Sequence, residues 1–513
     1  MNKFQRNGGY TVVLFLAFIA AVLLAGFSLY DNGTVASERI RMQNTADATV
    51  YSTVNVISRD MNFIAYTNRS MVANQVAIAQ MVGLSSWTHM LDKAVVNLDK
   101  VMTFVQIVPY IGPVLKKITT VMKKFSNMAK KGVDGAAKAG ITASDILIGI
   151  LSKGQDAFQL ATADMAIATY KGVSKANDKD IKTNLLISGA AFTNLIKSWN
   201  DNIERNRDPK VGGKKKDKRV RARFEEFANV VRDSRDPFSQ SRSYFWFKWI
   251  SVINLGILAS KVSIQKKGGT DFMASRKGKK LRWEWTAMDT VSVWHYTKWW
   301  SVCGKLPPKP CKKSSNKEVV PMGWGAAHAL SDKKKFFNYN KHKSKKQKKF
   351  YEQGNQTKLM NWKHWGNDYS WRNSKASKFG YWKDNKNNRA NIKGLRTFYD
   401  IKSNVKKDTG PSMVALLNKN TSGLRVQETL DKTDAKYNRP DLFKIEEDGS
   451  VVNDTMYGLA KAETYFSRPR DLWKRADGYR EYGNLYNPFW QTRLIDTTNK
   501  ERIAAVAAAN LLK

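Results

Sequence analysis

Two cysteines and five histidines are the residues of this chain best suited to redox, metal or nucleophilic chemistry. Cys303 and Cys311 bound the segment "CGKLPPKPC", and its Pro-Pro turn could bring the two α-carbons within disulfide distance. Two cysteines at this spacing cannot by themselves make a four-ligand zinc site. In an oxidising compartment we therefore predict a disulfide, the alternative being two unrelated thiols.

The other residues able to take part in catalysis or metal binding do not form a recognisable catalytic motif. The histidines are scattered, and the chain has no HExxH pair, GxxxxGK[ST] phosphate loop or GxGxxG turn. "SSNK" (314–317) and "SIQK" (263–266) match SxxK but lack the companion motifs that give it meaning. "EEDGSVVND" (446–454) lacks the ligand order of an EF-hand. We therefore predict a protein that is not an enzyme and takes no metal, cofactor or small-molecule substrate.

Residues 61–80, "MNFIAYTNRSMVANQVAIAQ", combine helical apolar spacing with several amides. Amides hydrogen-bond well but do little acid–base work, so the stretch does not resemble a catalytic centre. A buried amide on an apolar helix face can fix the packing register, as in coiled coils. We predict a packing seam that joins the helix to the distal region or to a partner, against the alternative of a solvated face. The seam residues are Met61, Ile64, Asn68, Met71 and Val72.

Near the N-terminus an unbroken apolar run extends from Tyr10 to Tyr30. As a helix it would be about 30 Å long, the thickness of one hydrocarbon core. It is longer than the h-region of a cleavable signal peptide, which favours a retained anchor; "VAS" at 35–37 keeps cleavage open as the alternative. Lys3 and Arg6 precede the run, so the positive-inside rule predicts a single-pass protein with a cytoplasmic N-terminus.

The charge balance is strongly basic, with a formal net charge of +43 over 513 residues. Such a charge favours a polyanionic partner, although a biased composition would give it without function. An insert at 331–389 interleaves lysines with aromatic residues, a chemistry that suits acidic polysaccharide or extracellular DNA; the alternative is a solvated insert. The candidate polyanion-binding residues are Lys333, Lys334, Lys335, Lys345, Lys346, Lys348, Lys349, Trp362, Trp365 and Trp371.

Periodicity divides the chain into a helical part and a strand-rich part. Helical spacing extends to about residue 206, with a break expected at Pro109 and Pro113 and a hinge at "KKGVDGAAKAG" (130–140). Beyond residue 240 alternation predicts antiparallel strands, clearest at 268–300. We expect an α+β fold with a transmembrane helix and helical stalk followed by a strand-rich distal region. The expected divisions are 1–30 (head and anchor), 31–206 (stalk), 207–240 (basic linker or helix) and 241–513 (strand-rich region).

Several stretches resemble the TadE/TadG-like proteins of Flp (Tad) pilus assembly. The anchor followed by "QNTADATVYS" (43–52) is similar to the N-terminal region of that family. The stretches at 59–87, 268–293, 462–469 and 484–494 resemble a longer subgroup of it, in the same order along the chain. If Gly9 marked a pilin-type leader junction, the position of the usual glutamate would be Leu14, a departure that puts prepilin-type cleavage in doubt.

The resemblance implies a structural or assembly component of a Tad/Flp-type pilus or secretion apparatus, without catalytic residues. It implies a location in the bacterial inner membrane, with the bulk of the chain periplasmic or surface-exposed and with other Tad/Flp assembly proteins as partners. The alternative function is an extracytoplasmic, adhesin-like protein that binds a polyanion.

Overall fold

The computed structural model describes most of the chain and places two long helices before the main sheets. The described residues are 8–105, 112–182, 185–206, 215–254, 258–277, 280–304, 309–331, 389–402, 408–421, 451–452, 455–469 and 477–510.

Two helices dominate the N-terminal part: α1 (Gly8–Val105) and α2 (Gly112–Asn177). The described part of α1 ends at Val105 and α2 begins at Gly112, one residue before Pro113; Pro109 lies outside the described residues, so the break expected there stays a prediction. The predicted hinge at 130–140 is wrong, because α2 continues through it. A Cβ at Gly140 would lie 2.5 Å from the sulfur of Met81, so in this part of α2 a glycine makes room for a neighbouring side chain.

Shorter helices and twelve strands complete the described chain. The helices are α3 (Leu185–Asn202), α4 (Lys215–Asp233), α5 (Pro237–Gln240) and α6 (Asn499–Asn510). The strands are β1 (Ile181–Lys182), β2 (Ile203–Asn206), β3 (Tyr244–Asn254), β4 (Ala259–Lys277), β5 (Lys280–Cys303), β6 (Lys309–Leu330), β7 (Arg389–Asn391), β8 (Phe398–Ile401), β9 (Thr409–Asn420), β10 (Val451–Val452), β11 (Thr455–Phe466) and β12 (Trp490–Leu494).

The strands form three sheets, and the α+β class is confirmed. One sheet has the order β1-β9-β11-β10, with β12 also paired to β11, and another pairs β2 with β8. The third has the order β3-β4-β5-β6-β7, in which β6 and β7 are parallel and the other pairs antiparallel. Alternation at 268–300 corresponds to β4 and β5, which pair over Ala259–Lys277.

The chain folds into two compact units, each built from separate segments. The first unit comprises 1–66, 155–204 and 399–513, and the second comprises 67–154 and 205–398. Both long helices therefore contribute residues to both units. This division cuts across the linear boundaries expected from the sequence, which stay predictions about folding units.

In the first unit, α1 packs on the sheet that contains β9 and β11. Side chains of both strands alternate between buried and half-buried, as expected for a sheet with one covered face. The inward positions of β11 include Gly458, Ala460 and Ala462, which are small enough to let a helix approach closely. The core cluster also takes Met42 and Val50 from α1.

In the second unit, the later part of α1 packs on β6 in a similar way. Met90, Ala94 and Val291 form a small buried cluster there. A Cβ added at Gly325 would overlap the backbone of Ser86 and Met90, so a side chain at this position has no room. Helix and strand backbones are thus in direct contact in this unit.

Candidate functional site: the N-terminal helix and the polar clusters of the two units

The first stretch of α1 has the properties of a membrane-crossing helix. Its best window has a mean hydropathy of 2.8 and none of it is buried within the structure. Large side chains here are open to the surroundings, for example Leu14 at 70% and Phe15 at 62% exposure. A part of α2, Ser126–Asn177, is also long and apolar enough to cross a membrane, with a mean hydropathy of 1.2 in its most apolar stretch. However, 33% of that stretch is buried within the structure. The N-terminal stretch is the one that needs an apolar environment from outside the fold.

A charged cluster lies where α1 begins to be buried in the first unit. Lys419 of β9 donates to Glu38 of α1 and to Asp178, both at 2.8 Å. Arg41 adds a second cation, 3.8 Å from Asp178 and 3.6 Å from Glu38. Burial opposes the charge of Lys419, but its hydrogen bonds to the two carboxylates outweigh burial and raise its pKa. The cluster fixes α1 to the sheet immediately beyond the apolar run.

The segment "QNTADATVYS" (43–52) is the next contact between α1 and the sheet. Gln43 donates to the backbone carbonyl of Leu459 at 3.0 Å. A Cβ at Gly458 would lie 3.0 Å from the carbonyl oxygen of Met42 and 3.2 Å from the Cβ of Ala46. Ala46 is fully buried. The small residues in this segment therefore have a packing reason: the helix crosses β11 at a glycine.

Asn62 makes the most specific helix-to-strand contact of the first unit. Its side-chain amide donates to the carbonyl of Trp490 at 2.9 Å, and its side-chain oxygen accepts from the Trp490 backbone amide at 3.0 Å. One turn earlier, Ser58 shares a hydrogen bond of 2.7 Å with Thr492. The helix thus satisfies part of the backbone of β12. The sequence showed Asn62 as one of several amides and gave no reason to prefer it.

The five predicted seam residues are all buried. Met61 and Ile64 are fully buried in the core of the first unit. In the second unit Asn68 is fully buried, with Met71 and Val72 exposed by only 1% and 8%. A seam that also receives an assembly partner stays a prediction.

Asp60 is a buried carboxyl group of the first unit. Its side chain has no exposed surface, and neither carboxyl oxygen has a hydrogen-bond partner among the described residues. Burial raises its pKa to about 7. An acid in such a place is stable in its neutral form, and ionising it weakens the fold.

The second unit buries a compact ion cluster around Asp289. Arg242 holds Asp289 with two nitrogens, Nε at 3.0 Å and Nη2 at 2.9 Å, and Lys266 also donates to Asp289. Gly268, the register partner of Asp289, has no side chain to fill the space of the carboxylate. Burial opposes ionisation of Asp289, but the charges of Arg242 and Lys266 outweigh it and lower its pKa. Burial lowers the pKa of Lys266 to about 8.

Two more polar groups of the second unit connect separate segments of the chain. Arg235 pairs with Asp271 at 3.0 Å, and both side chains are almost fully buried. Asp134 lies between Ser85 and His89, accepting from Ser85 and lying 2.7 Å from His89 Nε2. In a hydrolytic triad the histidine would contact the serine, so this order ties α1 to α2 and does not activate a nucleophile. Within the described residues, no group of three metal-binding side chains meets.

Of the remaining predicted site residues, the two cysteines are described by the structure and the polyanion-binding candidates are not. Cys303 and Cys311 are joined by a disulfide with α-carbons 5.8 Å apart. The polyanion-binding candidates at 333–335, 345–349, 362, 365 and 371 lie outside the described residues. Binding of acidic polysaccharide or DNA through this insert stays a prediction.

Comparison with known families supplies a finding for the N-terminal helix. Residues 8–55 match the family model described as putative Flp pilus-assembly TadE/G-like. The matched segment begins with the exposed apolar run and ends in the buried part of α1, after the Gly458 crossing. The chain therefore carries a TadE/G-like region at its N-terminus, as the resemblance indicated. No curated protein and no solved structure matches the chain.

Proposed function

We propose that this protein is a membrane-anchored structural or assembly component of a Tad/Flp-type pilus or secretion apparatus. The observation that carries the proposal is the TadE/G-like match at 8–55, which covers the exposed apolar run and its continuation into the first unit. Such a design anchors a large folded region directly to a bilayer, because one helix is both the anchor and a core element.

The proposed topology places the N-terminus in the cytoplasm and the two units in the periplasm or at the cell surface. Lys3 and Arg6 before the apolar run support this orientation by the positive-inside rule. The Cys303–Cys311 disulfide supports an oxidising location for the second unit.

The proposed role is structural. Lys419 and Asn62 join α1 to strands of the first unit, and such cross-links suit a scaffold that must hold its shape. Other Tad/Flp assembly proteins are the proposed partners, in agreement with the family match.

A complementation experiment in a deletion strain tests the proposal. The wild-type gene should restore surface pili, and the chain should fractionate with the inner membrane. Ala46→Leu, which places bulk against Gly458, should reduce piliation, whereas Tyr51→Leu, at a 42% exposed position of the same helix, should not. Normal pili and normal adhesion in the uncomplemented deletion strain would show that the protein has no part in this apparatus.

A further inference from the structure

The end of the β5–β6 hairpin extends past the rest of its sheet. β4 pairs with β5 only as far as Ala259 opposite Lys298. β5 and β6 continue to pair from Trp299 opposite Lys313 to Cys303 opposite Lys309. No other described strand pairs with this part, which we call the hairpin tip (299–304 and 309–313).

The hairpin tip is held together by more than its ladder. A two-stranded ribbon alone is marginally stable in water. The Cys303–Cys311 disulfide joins the two strands at the tip. Gly304 follows directly with φ at 100°, a conformation that suits glycine, and begins the turn. The cross-link limits the conformations open to the tip, so its side chains are presented from a constrained ribbon.

One face of the hairpin tip is apolar and exposed. Trp300 lies opposite Lys312 and Val302 opposite Pro310, so these four residues share a face. Val302 is 68% exposed and Trp300 43% exposed, and Pro310 and Lys312 are exposed as well. A tryptophan and a valine side by side at the end of a ribbon are costly to leave in water.

The same tip is strongly basic. From Lys298 to Lys317 the sequence has six lysines and no acidic residue. Lys309, Lys312 and Lys313 are exposed, and the Lys312 ammonium lies 5.0 Å from the centroid of the Trp300 ring. The tip thus combines the exposed apolar side chains of Trp300 and Val302 with neighbouring positive charges.

We propose that the hairpin tip docks on an anionic lipid bilayer, with Trp300 and Val302 in the interfacial layer and the lysines on lipid phosphates. Tryptophan prefers the level of the headgroups, and lysines near an anionic surface are attracted to it. Lys312 lies over one face of the Trp300 ring, which leaves at most the other face for the stacking that nucleic acid or sugar would use. Val302 and Pro310 offer such ligands neither stacking nor charge, but hydrocarbon accepts them. The proposal does not rest on the function in pilus assembly.

Vesicle binding by the full-length protein tests this docking. The chain is placed in zwitterionic nanodiscs, which satisfy its N-terminal helix, and mixed with separate vesicles of phosphatidylcholine with or without phosphatidylglycerol. We expect binding to the phosphatidylglycerol vesicles, weakened by salt, and little binding to phosphatidylcholine alone. Equal binding to both vesicle types would overturn the proposal.

Matched variants separate the tip from the general basic charge of the chain. Lys312→Gln with Lys313→Gln should weaken vesicle binding about 30-fold, since each lysine near an anionic surface contributes a factor of about five. The control pair Lys123→Gln with Lys124→Gln, also adjacent exposed lysines, should change it less than about two-fold. Val302→Asp should weaken binding at least about ten-fold, against no change for Tyr479→Ala at a 77% exposed aromatic position.

Intact mass and hydrogen exchange of β4–β6 confirm that each variant keeps its disulfide and fold. If folded tip variants bind vesicles like the wild type, the tip is not a lipid-docking element. If they lose binding to DNA or to an acidic polysaccharide while vesicle binding persists, the tip binds a soluble polyanion and the lipid proposal is wrong.

Discussion

In the first unit α1 crosses β11 at Gly458, and in the second it crosses β6 at Gly325, so one helix meets two sheets by the same device. The interiors around these crossings differ. The first unit surrounds its helix with a large apolar cluster and leaves the carboxyl group of Asp60 without a counter-charge. The second unit has buried cations beside its carboxylates, as at Asp289 and Asp271.

This difference shows two ways to handle a buried acid. A buried acid without a counter-charge can be neutral, and the free-energy cost of burying it then depends on pH. A buried acid paired with cations is charged, and the cost of burying it then depends on whether those cations are in place. The first unit should therefore respond to pH at Asp60, and the second to loss of one member of its ion cluster.

Removing Asp289 should have the largest effect. Asp289→Asn leaves Arg242 and Lys266 buried without their carboxylate, which should cost roughly 3–5 kcal/mol of unfolding free energy. Hydrogen exchange should rise in β4–β6 and stay unchanged in β9 and β11. Asp233→Asn, at a side chain 68% exposed, is the control and should cost less than about 0.5 kcal/mol. Equal exchange in both sheets would mean that the units do not unfold separately.

Replacing Asp60 should increase the unfolding free energy, whereas replacing Asp289 should reduce it, and the size of the increase should depend on pH. Its pKa is about 7 in the folded protein and lower when unfolded, so the folded state binds more protons. The stability contributed at Asp60 is present at low pH and falls as pH rises from about 4 to about 7. Asp60→Asn should therefore stabilise the protein above pH 7, by an amount on the order of 4 kcal/mol or less, and not at pH 4.

The measurement for Asp60 is the difference in denaturation midpoint between variant and wild type across this pH range. Asp164→Asn, at an exposed position of α2, serves as the control. A pH-independent difference would mean that Asp60 is ionised in the folded protein.

The loss of stability on replacing glycine by alanine should be larger at the crossing where the helix and strand backbones are closer. Gly325→Ala forces a Cβ into the backbone of Ser86 and Met90 and should cost roughly 3 kcal/mol. Gly458→Ala meets its nearest atom at 3.0 Å and should cost about 1 kcal/mol. Thermal unfolding of both variants beside Gly154→Ala, a helical glycine with open space around it, gives the ranking. A reversed order would mean that the second unit relaxes more easily than the first.

Asn62 should give a small effect, similar in size to that of Gly458→Ala. Asn62→Leu keeps the volume but removes both hydrogen bonds to Trp490, with an expected cost of about 1–2 kcal/mol. Faster hydrogen exchange in β12 with unchanged exchange in β9 is the expected signature. Asn74→Leu, whose amide donates to the Ser70 carbonyl within the same helix, is the control.

Much of the architecture could be predicted from local patterns. The apolar run at the start of α1 and the alternation in β4 and β5 are visible over short windows of sequence. The hinge at 130–140 was mispredicted because a helical glycine costs only about 1 kcal/mol relative to alanine, an amount that packing of the kind seen at Gly140 can offset. Local composition does not show such packing.

The polar clusters could not be predicted for a different reason. Asp289 has partners 47 and 23 residues away, and Asn62 has its partner 428 residues away. Pairings at these separations depend on the register of strands, which a single sequence does not give. Asp60 has no sequence neighbour that marks it as buried and unpaired. It is distinguished from Asp47 or Asp164 only by what surrounds it in the folded unit.

The division of each unit into distant chain segments has a consequence for the order of folding during synthesis. The second unit has all its segments once Phe398 has been made, but the first also needs β12, which ends at Leu494. Until β9 and β11 have been made, the buried face of α1 from Met42 to Ile64 lacks the sheet that covers it, and the contacts of Ser58 and Asn62 with β12 form last. Contacts that close so late form slowly and leave apolar surface open to wrong partners. The first unit should therefore stay incompletely folded until late in synthesis.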